Sequence, residues 1–117
     1  MGKREQAKGR RAELELCRLL NGLGLTDVRP GVAASFGTEP DITGLDGVHV
    51  EVKRREGVDL SAALRQAHAD AEHFGDGVPA VFHRGNRQAW RVTMELPAWA
   101  ELYGLALMAQ NKRSKAR

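Results

Sequence analysis

Residues 40–55 of this 117-residue chain read PDITGLDGVHVEVKRR, and the predicted architecture is built around them. In the second half of the stretch valines alternate with polar residues: Val48, Val50 and Val52 with His49, Glu51 and Lys53. Because successive side chains of a strand point to opposite faces, the alternation predicts one core face and one face for chemistry or water. Asp46-Gly47 is typical of a hairpin turn, so a preceding strand is expected to run antiparallel to this one.

The loop length of this predicted hairpin decides where Asp41 lies. A three-residue loop at 45–47, with Gly47 in the left-handed conformation, pairs residue 44 with 48 and residue 41 with 51. That register brings the carboxylates of Asp41 and Glu51 to one face. A two-residue loop instead sets Asp41 opposite Val52 and turns its side chain away.

Two carboxylates held close together repel each other unless a proton or a hard cation lies between them. Mg²⁺ fits such a pair, because it prefers oxygen ligands and is usually held by one or two carboxylates together with substrate phosphate. Lys53, two residues beyond Glu51 on the same face, can then position a water molecule and offset charge on a phosphate. His49 shares this face, as a lining residue or as an ordinary strand histidine. The alternative for the whole pattern is a surface hairpin with a cross-strand salt bridge.

Residues 4–22 have the periodicity of a helix, with its apolar stripe formed by Ala12, Leu16, Leu19, Leu20 and Leu23. Arg11, Glu15 and Arg18 fall on the opposite side. Glu13, however, falls in the middle of the stripe, where an unpaired carboxylate is costly. The position is tolerated if Glu13 reaches the hydration shell of a metal or caps a lysine; alternatively, its side chain extends to solvent from the edge of the helix.

The remaining pattern predicts a single α/β or α+β domain over residues 1–117, with helices packed on a mixed sheet. A short strand is expected at 27–30 and a loop at 31–37. A second helix at 60–74 is capped by Asp59 or Ser61 and ends at Gly75. Strands at 79–83 and 88–94 flank a Gly85-Asn86 turn, and a last helix covers 97–108, before a loose tail from about 110. In that helix an apolar set packs on the core or on a partner subunit: Leu102, Tyr103, Leu105, Leu107 and Met108.

Composition narrows the function classes. The chain carries one cysteine, which excludes a disulfide framework, and no apolar run of about 18 residues, which argues against a membrane location. With no secretory signal recognisable, a cytoplasmic location is expected. The net charge of +3 is concentrated in basic clusters that favour a polyanionic partner, with solvated surface charge as the alternative. The candidate phosphate contacts flank the acidic residues: Lys8, Arg10, Arg11, Arg29, Arg54 and Arg55.

Three segments carry a family resemblance: Lys8-Gly-Arg-Arg-Ala-Glu-Leu-Glu-Leu16, Pro40-Asp41 and Glu51-Val-Lys53. Together they resemble the PD-(D/E)XK nuclease superfamily, over roughly residues 8–90. The Lys-Gly start, the Arg29-Pro-Gly loop with Ala-Ser35-Phe-Gly37, and the following Pro-Asp-Ile are most similar to the archaeal and phage type of Holliday junction resolvase.

The resemblance implies a restriction-endonuclease-like αβββαβ core with a mixed five-stranded sheet, and a metal-dependent DNA endonuclease. Asp41, Glu51 and the carbonyl of Val52 would bind Mg²⁺, with Mn²⁺ as a possible substitute. Lys53 would orient the attacking water, and Glu13 would complete the acidic cluster. Ser35 corresponds to a catalytic loop serine of resolvases, and Gln66 to a glutamine that many members place beside the lysine.

The implied partners are branched or duplex DNA and a second copy of the chain, because a resolvase cuts symmetrically related strands across a junction. Two other functions stay open. One is a virus-type replication and repair nuclease of the same fold acting on flaps or ends, which Leu60-Ser61…Gln66 followed by Pro79-Ala-Val-Phe also resembles. The other is a noncatalytic DNA-binding protein that uses the basic surface alone.

Overall fold

A computed structural model describes residues 3–25, 27–31 and 39–115 of the chain. Within these ranges the protein has three helices and five strands. In chain order they are α1 (Lys3–Gly22), β1 (Arg29–Pro30), β2 (Ile42–Thr43), β3 (Gly47–Arg54), α2 (Leu60–Phe74), β4 (Gly77–Arg84), β5 (Arg91–Thr93) and α3 (Leu96–Lys115). The class is α/β, as the sequence predicts, and no helix in the described ranges is long and apolar enough to cross a membrane.

The strands lie in two sheets, so the expectation of one five-stranded sheet is corrected. β1 and β2 pair antiparallel, with Arg29 opposite Thr43. The second sheet has the order β3-β4-β5, in which β3 and β4 are parallel and β4 and β5 antiparallel. The expected hairpin ladder between residues 41–44 and 48–51 is therefore wrong, although β2 does contact β3. The two residues of β2 pair with β1 instead, while β3 pairs along its full length with β4.

Helices cover both faces of β3. Val50 lies in an apolar cluster with Leu16 and Leu20 of α1, together with Ala80 and Phe82 of β4. The opposite face of the sheet is covered by α2, whose Ala63 and Ala67 pack on Val81. The polar face that the alternation predicts for β3 is thus inside the protein: His49 is 2% exposed and Glu51 7%.

The second helix matches its sequence signals. The Asp59 carboxylate accepts a hydrogen bond from the Ala62 amide at 3.1 Å, which caps the amino end of α2. Gly75 ends the helix in the left-handed conformation, with φ 62°. Its buried residues are Ala63, Ala67 and Ala71.

The last helix is longer than expected and poorly covered. It remains helical to Lys115, so the tail that the sequence predicts from about residue 110 is part of α3 within the described range. Ala98 is buried in α3, whereas most of the apolar set predicted to pack on the core or on a partner subunit is exposed in the single chain: Tyr103, Leu105, Leu107 and Met108.

Glu15 joins the first helix to the end of β4 and to Trp90. One of its carboxylate oxygens accepts hydrogen bonds from Nε of Arg84 at 2.9 Å and from Nε1 of Trp90 at 3.0 Å. Nη2 of Arg84 lies at 2.9 Å from the same oxygen, and the guanidinium is 5.9 Å from the centre of the Trp90 ring. This carboxylate, expected on the solvent side of the helix, therefore anchors α1.

We expect Glu15→Ala to lower the free energy of unfolding by about 1–2 kcal/mol, because three charge-assisted contacts are lost at a partly exposed site. Urea unfolding followed by circular dichroism measures the change. Glu101→Ala, at an exposed position of α3, serves as the control and is expected to change stability little. Equal stability of the two variants would contradict the anchoring role.

Candidate active site

The backbone at Gly31 links Asp41 to the first helix. Arg10 Nη1 donates a hydrogen bond to the Gly31 carbonyl at 2.6 Å, and the Gly31 amide donates to the Asp41 carbonyl at 2.8 Å. A Cβ at residue 31 would overlap the carbonyl oxygen of Pro40, so only glycine permits this approach. Asp41 is thereby held beside α1 through β1 and Gly31, rather than through the expected hairpin register.

Glu13 lies where α1 meets this linkage, and its side chain is only 15% exposed. The pKa of Glu13 is raised from 4.5 to about 7, chiefly by burial and then by the negative charge of Asp41, with a smaller contribution from Glu51. Arg10, whose Nη1 lies 3.8 Å from a Glu13 oxygen, opposes these effects and lowers the pKa. Glu13 therefore senses the charges of both other predicted carboxylates and does not extend into solvent. The three do not form a group with metal-ligand spacing in the described part of the chain: Asp41 is exposed, and Glu51 forms such a group with His49 and Asp70.

Glu51 and Lys53 project from β3 on the same face. The Lys53 ammonium lies 3.7 Å from Oε1 of Glu51, with the Lys53 side chain 33% exposed and the Glu51 side chain 9%. Glu51 thus faces the interior while the ammonium group reaches the surface. Val52, whose carbonyl is a predicted metal ligand, is half-buried between them. A buried carboxylate beside a partly exposed ammonium can hold a cation and a phosphate at neighbouring positions.

The other predicted site residues are dispersed. Ser35 lies outside the described residues. Gln66 is exposed on α2 and donates from Nε2 to both oxygens of Asp70 at 3.0 Å. Among the candidate phosphate contacts, Lys8 is part of α1 and Arg54 donates to Oδ1 of Asn86 at 3.0 Å. The exposed members of the set are Arg11, Arg29 and Arg55.

His49 is a residue for which the sequence leaves two roles open, a lining residue of the site or an ordinary strand histidine. Its Nδ1 lies 2.9 and 3.0 Å from the two oxygens of Asp76, and its Nε2 lies 3.8 Å from Oε2 of Glu51. Burial lowers the pKa of the imidazole, but the two carboxylates outweigh it and raise the pKa above its usual value. Its ring also stacks on Phe74 of α2, with centroids 6.1 Å apart.

Asp70 and Asp76 are two further residues near this site that sequence reasoning missed. Potential ligand atoms of His49, Glu51 and Asp70 all lie within 4.8 Å of one another. Asp76 directly precedes β4, whose first residue, Gly77, is in parallel register with Gly47. The order β3–α2–β4 could have indicated Asp76, because a parallel pairing of β3 with β4 brings the start of β4 beside the start of β3. The predicted hairpin gives β3 a different neighbour and so does not indicate Asp76.

Comparisons with family models, with curated proteins and with solved structures gave no match for this chain.

The raised pKa of Glu13 has a consequence for stability. Between about pH 4.5 and 7 the folded protein binds more protons at Glu13 than the unfolded chain does, so the free energy of unfolding falls as pH rises. Well above pH 7 Glu13 is ionised in both the folded and the unfolded protein, and the free energy of unfolding falls no further on its account. Glu13→Gln removes this loss, and we expect it to stabilise the metal-free protein at pH 8 by about 1–3 kcal/mol.

The measurement is urea unfolding in EDTA at pH 4.5 and pH 8. The gain from Glu13→Gln should be small at the lower pH, where Glu13 is protonated in the folded state. Glu72→Gln, at an exposed position of α2, is the matched control. A Glu13→Gln variant no more stable than wild type at pH 8 would rule out a buried ionised Glu13.

Proposed function

We propose that this protein is a metal-dependent, structure-selective DNA endonuclease with a restriction-endonuclease-like core, and that it resolves Holliday junctions. Asp41, Glu51 and the Val52 carbonyl bind the metal, Glu13 completes the acidic cluster and Lys53 serves the attacking water. The sequence resemblance motivates each of these roles.

The observation that carries the proposal is the interaction of one helix carboxylate with two others from separate segments. Glu13 of α1 interacts electrostatically with both Asp41 and Glu51, while Lys53 lies 3.7 Å from Glu51. These four residues span forty positions of sequence, so only the fold brings their charges into one region. The alternative of a surface hairpin with a salt bridge does not account for a Glu13 side chain that is only 15% exposed and whose pKa is raised by both other carboxylates.

The donor set suits Mg²⁺ or Mn²⁺, because carboxylate oxygens are the ligands that both ions prefer. Burial and, after it, the charges of Asp41 and Glu51 raise the pKa of Glu13, and a divalent cation bound nearby would favour the ionised carboxylates. When bound, the cation polarises the phosphodiester and lowers the pKa of water. Asp41 and Glu51 are the ligand side chains in this proposal.

The chain's own residues supply the remaining chemistry. Lys53 brings a positive charge to the exposed edge of the site, where its ammonium orients water and offsets charge that develops on the phosphate. Glu51 holds Lys53 through the 3.7 Å contact between Oε1 and Nζ. Arg10 partly neutralises Glu13, and with it the acidic cluster, before a cation binds.

DNA is the proposed substrate because exposed arginines occur on or next to the elements that carry the acidic residues. Arg11 precedes Glu13 on α1, Arg29 is in β1 and Arg55 follows Lys53. Such residues contact phosphates without reading bases, which favours recognition of DNA shape over sequence. Binding is then expected to weaken steeply with salt.

Asp41→Asn is expected to lower the rate of magnesium-dependent cleavage of a mobile four-way junction by about 100-fold or more, because one metal ligand is neutralised. Binding of the junction should persist or tighten, since a negative charge facing the phosphates is removed. Asp46→Asn, at an exposed turn residue of the same segment, is the control and should cleave as wild type does.

The assay compares the junction with matched flap, nicked and linear DNA at fixed salt, with and without Mg²⁺. Paired symmetrical nicks in the junction support a resolvase. Preferential cutting of flaps or ends would instead assign the virus-type activity. Absence of metal-dependent cleavage on every substrate would contradict the proposal and favour the noncatalytic DNA-binding protein.

A homodimer belongs to the same proposal, with α3 as the subunit contact. Its exposed apolar residues include a stripe at helical spacing, Leu96, Trp99, Tyr103 and Leu107, and the Trp99 and Tyr103 rings stack with centroids 5.1 Å apart. A self-complementary helix face suits a twofold interface, which a substrate with symmetric strands requires.

Tyr103→Glu is expected to convert the dimer to a monomer, because it places a charge in the middle of this apolar stripe. Sedimentation velocity across a concentration series reports the change. Ala109→Glu, at an exposed position about 120° around the same helix from Tyr103, adds the same charge outside the stripe and should leave the dimer intact. A wild-type protein that sediments as a monomer would exclude the dimer.

A further inference from the structure

We propose a second metal site, formed by His49 and Glu51 of β3 and Asp70 of α2, that binds a divalent transition metal such as Zn²⁺. It lies on the α2 side of the sheet and shares Glu51 with the proposed magnesium site. The proposal of this site can be tested separately from the proposed cleavage activity, because metal binding is measured without DNA.

The hydrogen bond between His49 and Asp76 favours the tautomer of His49 that can bind a metal. Nδ1 lies 2.9 Å from an Asp76 carboxylate oxygen, so the proton of the neutral imidazole belongs on Nδ1, which donates to Asp76. The lone pair is then on Nε2. A carboxylate that accepts the other ring N–H is the usual partner of a metal-ligating histidine, because it fixes the tautomer and raises the basicity of the ligand.

The environment of the His49 Nε2 atom is the strongest support for a cation site. The atom is fully buried and has no hydrogen-bond partner among the described residues. An orphaned buried polar atom is costly and calls for a ligand. Its nearest charged neighbour is Oε2 of Glu51 at 3.8 Å, which is too long for a hydrogen bond.

The spacing of these two atoms suits a shared metal. Zinc binds imidazole nitrogen and carboxylate oxygen at about 2.0–2.2 Å, which separates two donors of a tetrahedral centre by about 3.4 Å. The observed 3.8 Å needs a contraction of a few tenths of an ångström. A lone pair and a carboxylate facing each other repel, and a cation between them removes the repulsion.

Asp70 supplies the third ligand from the opposing helix. Its carboxylate completes the group whose potential ligand atoms lie within 4.8 Å of one another. The Gln66 amide, one helical turn before it, donates to both Asp70 oxygens at 3.0 Å and holds the carboxylate in place. The resulting shell contains one nitrogen and two oxygen donors, with positions left for water.

This donor set separates the new site from the proposed magnesium site. A site with an imidazole nitrogen ranks divalent ions by the Irving–Williams order, in which Zn²⁺ binds more tightly than Mn²⁺. Mg²⁺ prefers oxygen ligands alone and is expected to bind weakest here. The competing state of these residues is an imidazolium between the carboxylates of Asp76 and Glu51, with no metal bound.

Isothermal titration of the full chain with ZnCl₂, MnCl₂ and MgCl₂, in the absence of DNA, tests the site. The wild type should bind one Zn²⁺ per chain with higher affinity than Mn²⁺. His49→Gln and Asp70→Asn should each weaken Zn²⁺ binding by about tenfold or more, and Asp76→Asn by about 10–100-fold through loss of the outer-shell hydrogen bond. His68→Gln, at an exposed position of α2, should bind as the wild type does.

Asp70→Asn keeps the proposal testable if the buried His49→Gln variant fails to fold, because Asp70 is only half-buried. Co²⁺ absorption gives a second readout, since its visible bands should change when the imidazole ligand is lost in a folded His49→Gln. Zn²⁺ binding unaffected by Asp70→Asn, or absent in the wild type, overturns the proposal. Loss of Zn²⁺ binding in Asp41→Asn but not in Asp70→Asn would also overturn it, by assigning the ion to the acidic cluster. Failure of junction cleavage alone would count only against the nuclease.

Discussion

Burial of charged groups on β3 is the constraint on which this structure depends. A strand covered by helices on both faces usually carries apolar side chains on each. Here one face presents His49 and Glu51 to the interior beneath α2, each less than a tenth exposed. Ionisable groups in that position are costly unless paired, so their partners become part of the fold. Asp76 for His49 and Lys53 for Glu51 are such partners.

The same constraint applies on the α1 side of the site. Glu13 occupies a position that an apolar side chain would fill at lower cost, and the neighbouring Asp41 increases the penalty. Anchoring by Glu15, whose carboxylate binds Arg84 and Trp90, offsets part of this cost elsewhere on the helix. A chain that keeps a destabilising carboxylate at this point resembles other proteins in which stability is lost at a functional site.

Elements governed by local signals were predictable from the sequence. The cap at Asp59 and the left-handed Gly75 mark the two ends of α2, and the periodicity of α1 depends only on neighbouring turns. Gly47 is left-handed, with φ 87°, and the Val48 amide bonds the Leu45 carbonyl, so even the expected turn is present.

Long-range pairing was not predictable in the same way. The alternation in β3 is equally compatible with an antiparallel neighbour and with a parallel strand across α2, and nothing local distinguishes them. The wrong prediction of an antiparallel neighbour for β3 also affected the predicted site. It placed His49 and Glu51 on an open face and hid Asp70 and Asp76, which only the β3–α2–β4 packing brings near them. The proximity of Asp41 to Glu13 arose through Gly31, a route that no periodicity reveals.

The packing at Gly31 also limits how this sequence can diverge. Any side chain there displaces Pro40 and moves the acid that follows it. Positions 31 and 41 should consequently vary together among descendants of this chain: lineages that keep the acid keep the glycine, and loss of either removes selection on the other. A substituted residue 31 would then mark copies that keep the scaffold but no longer hold Asp41 in the position that the proposed function requires.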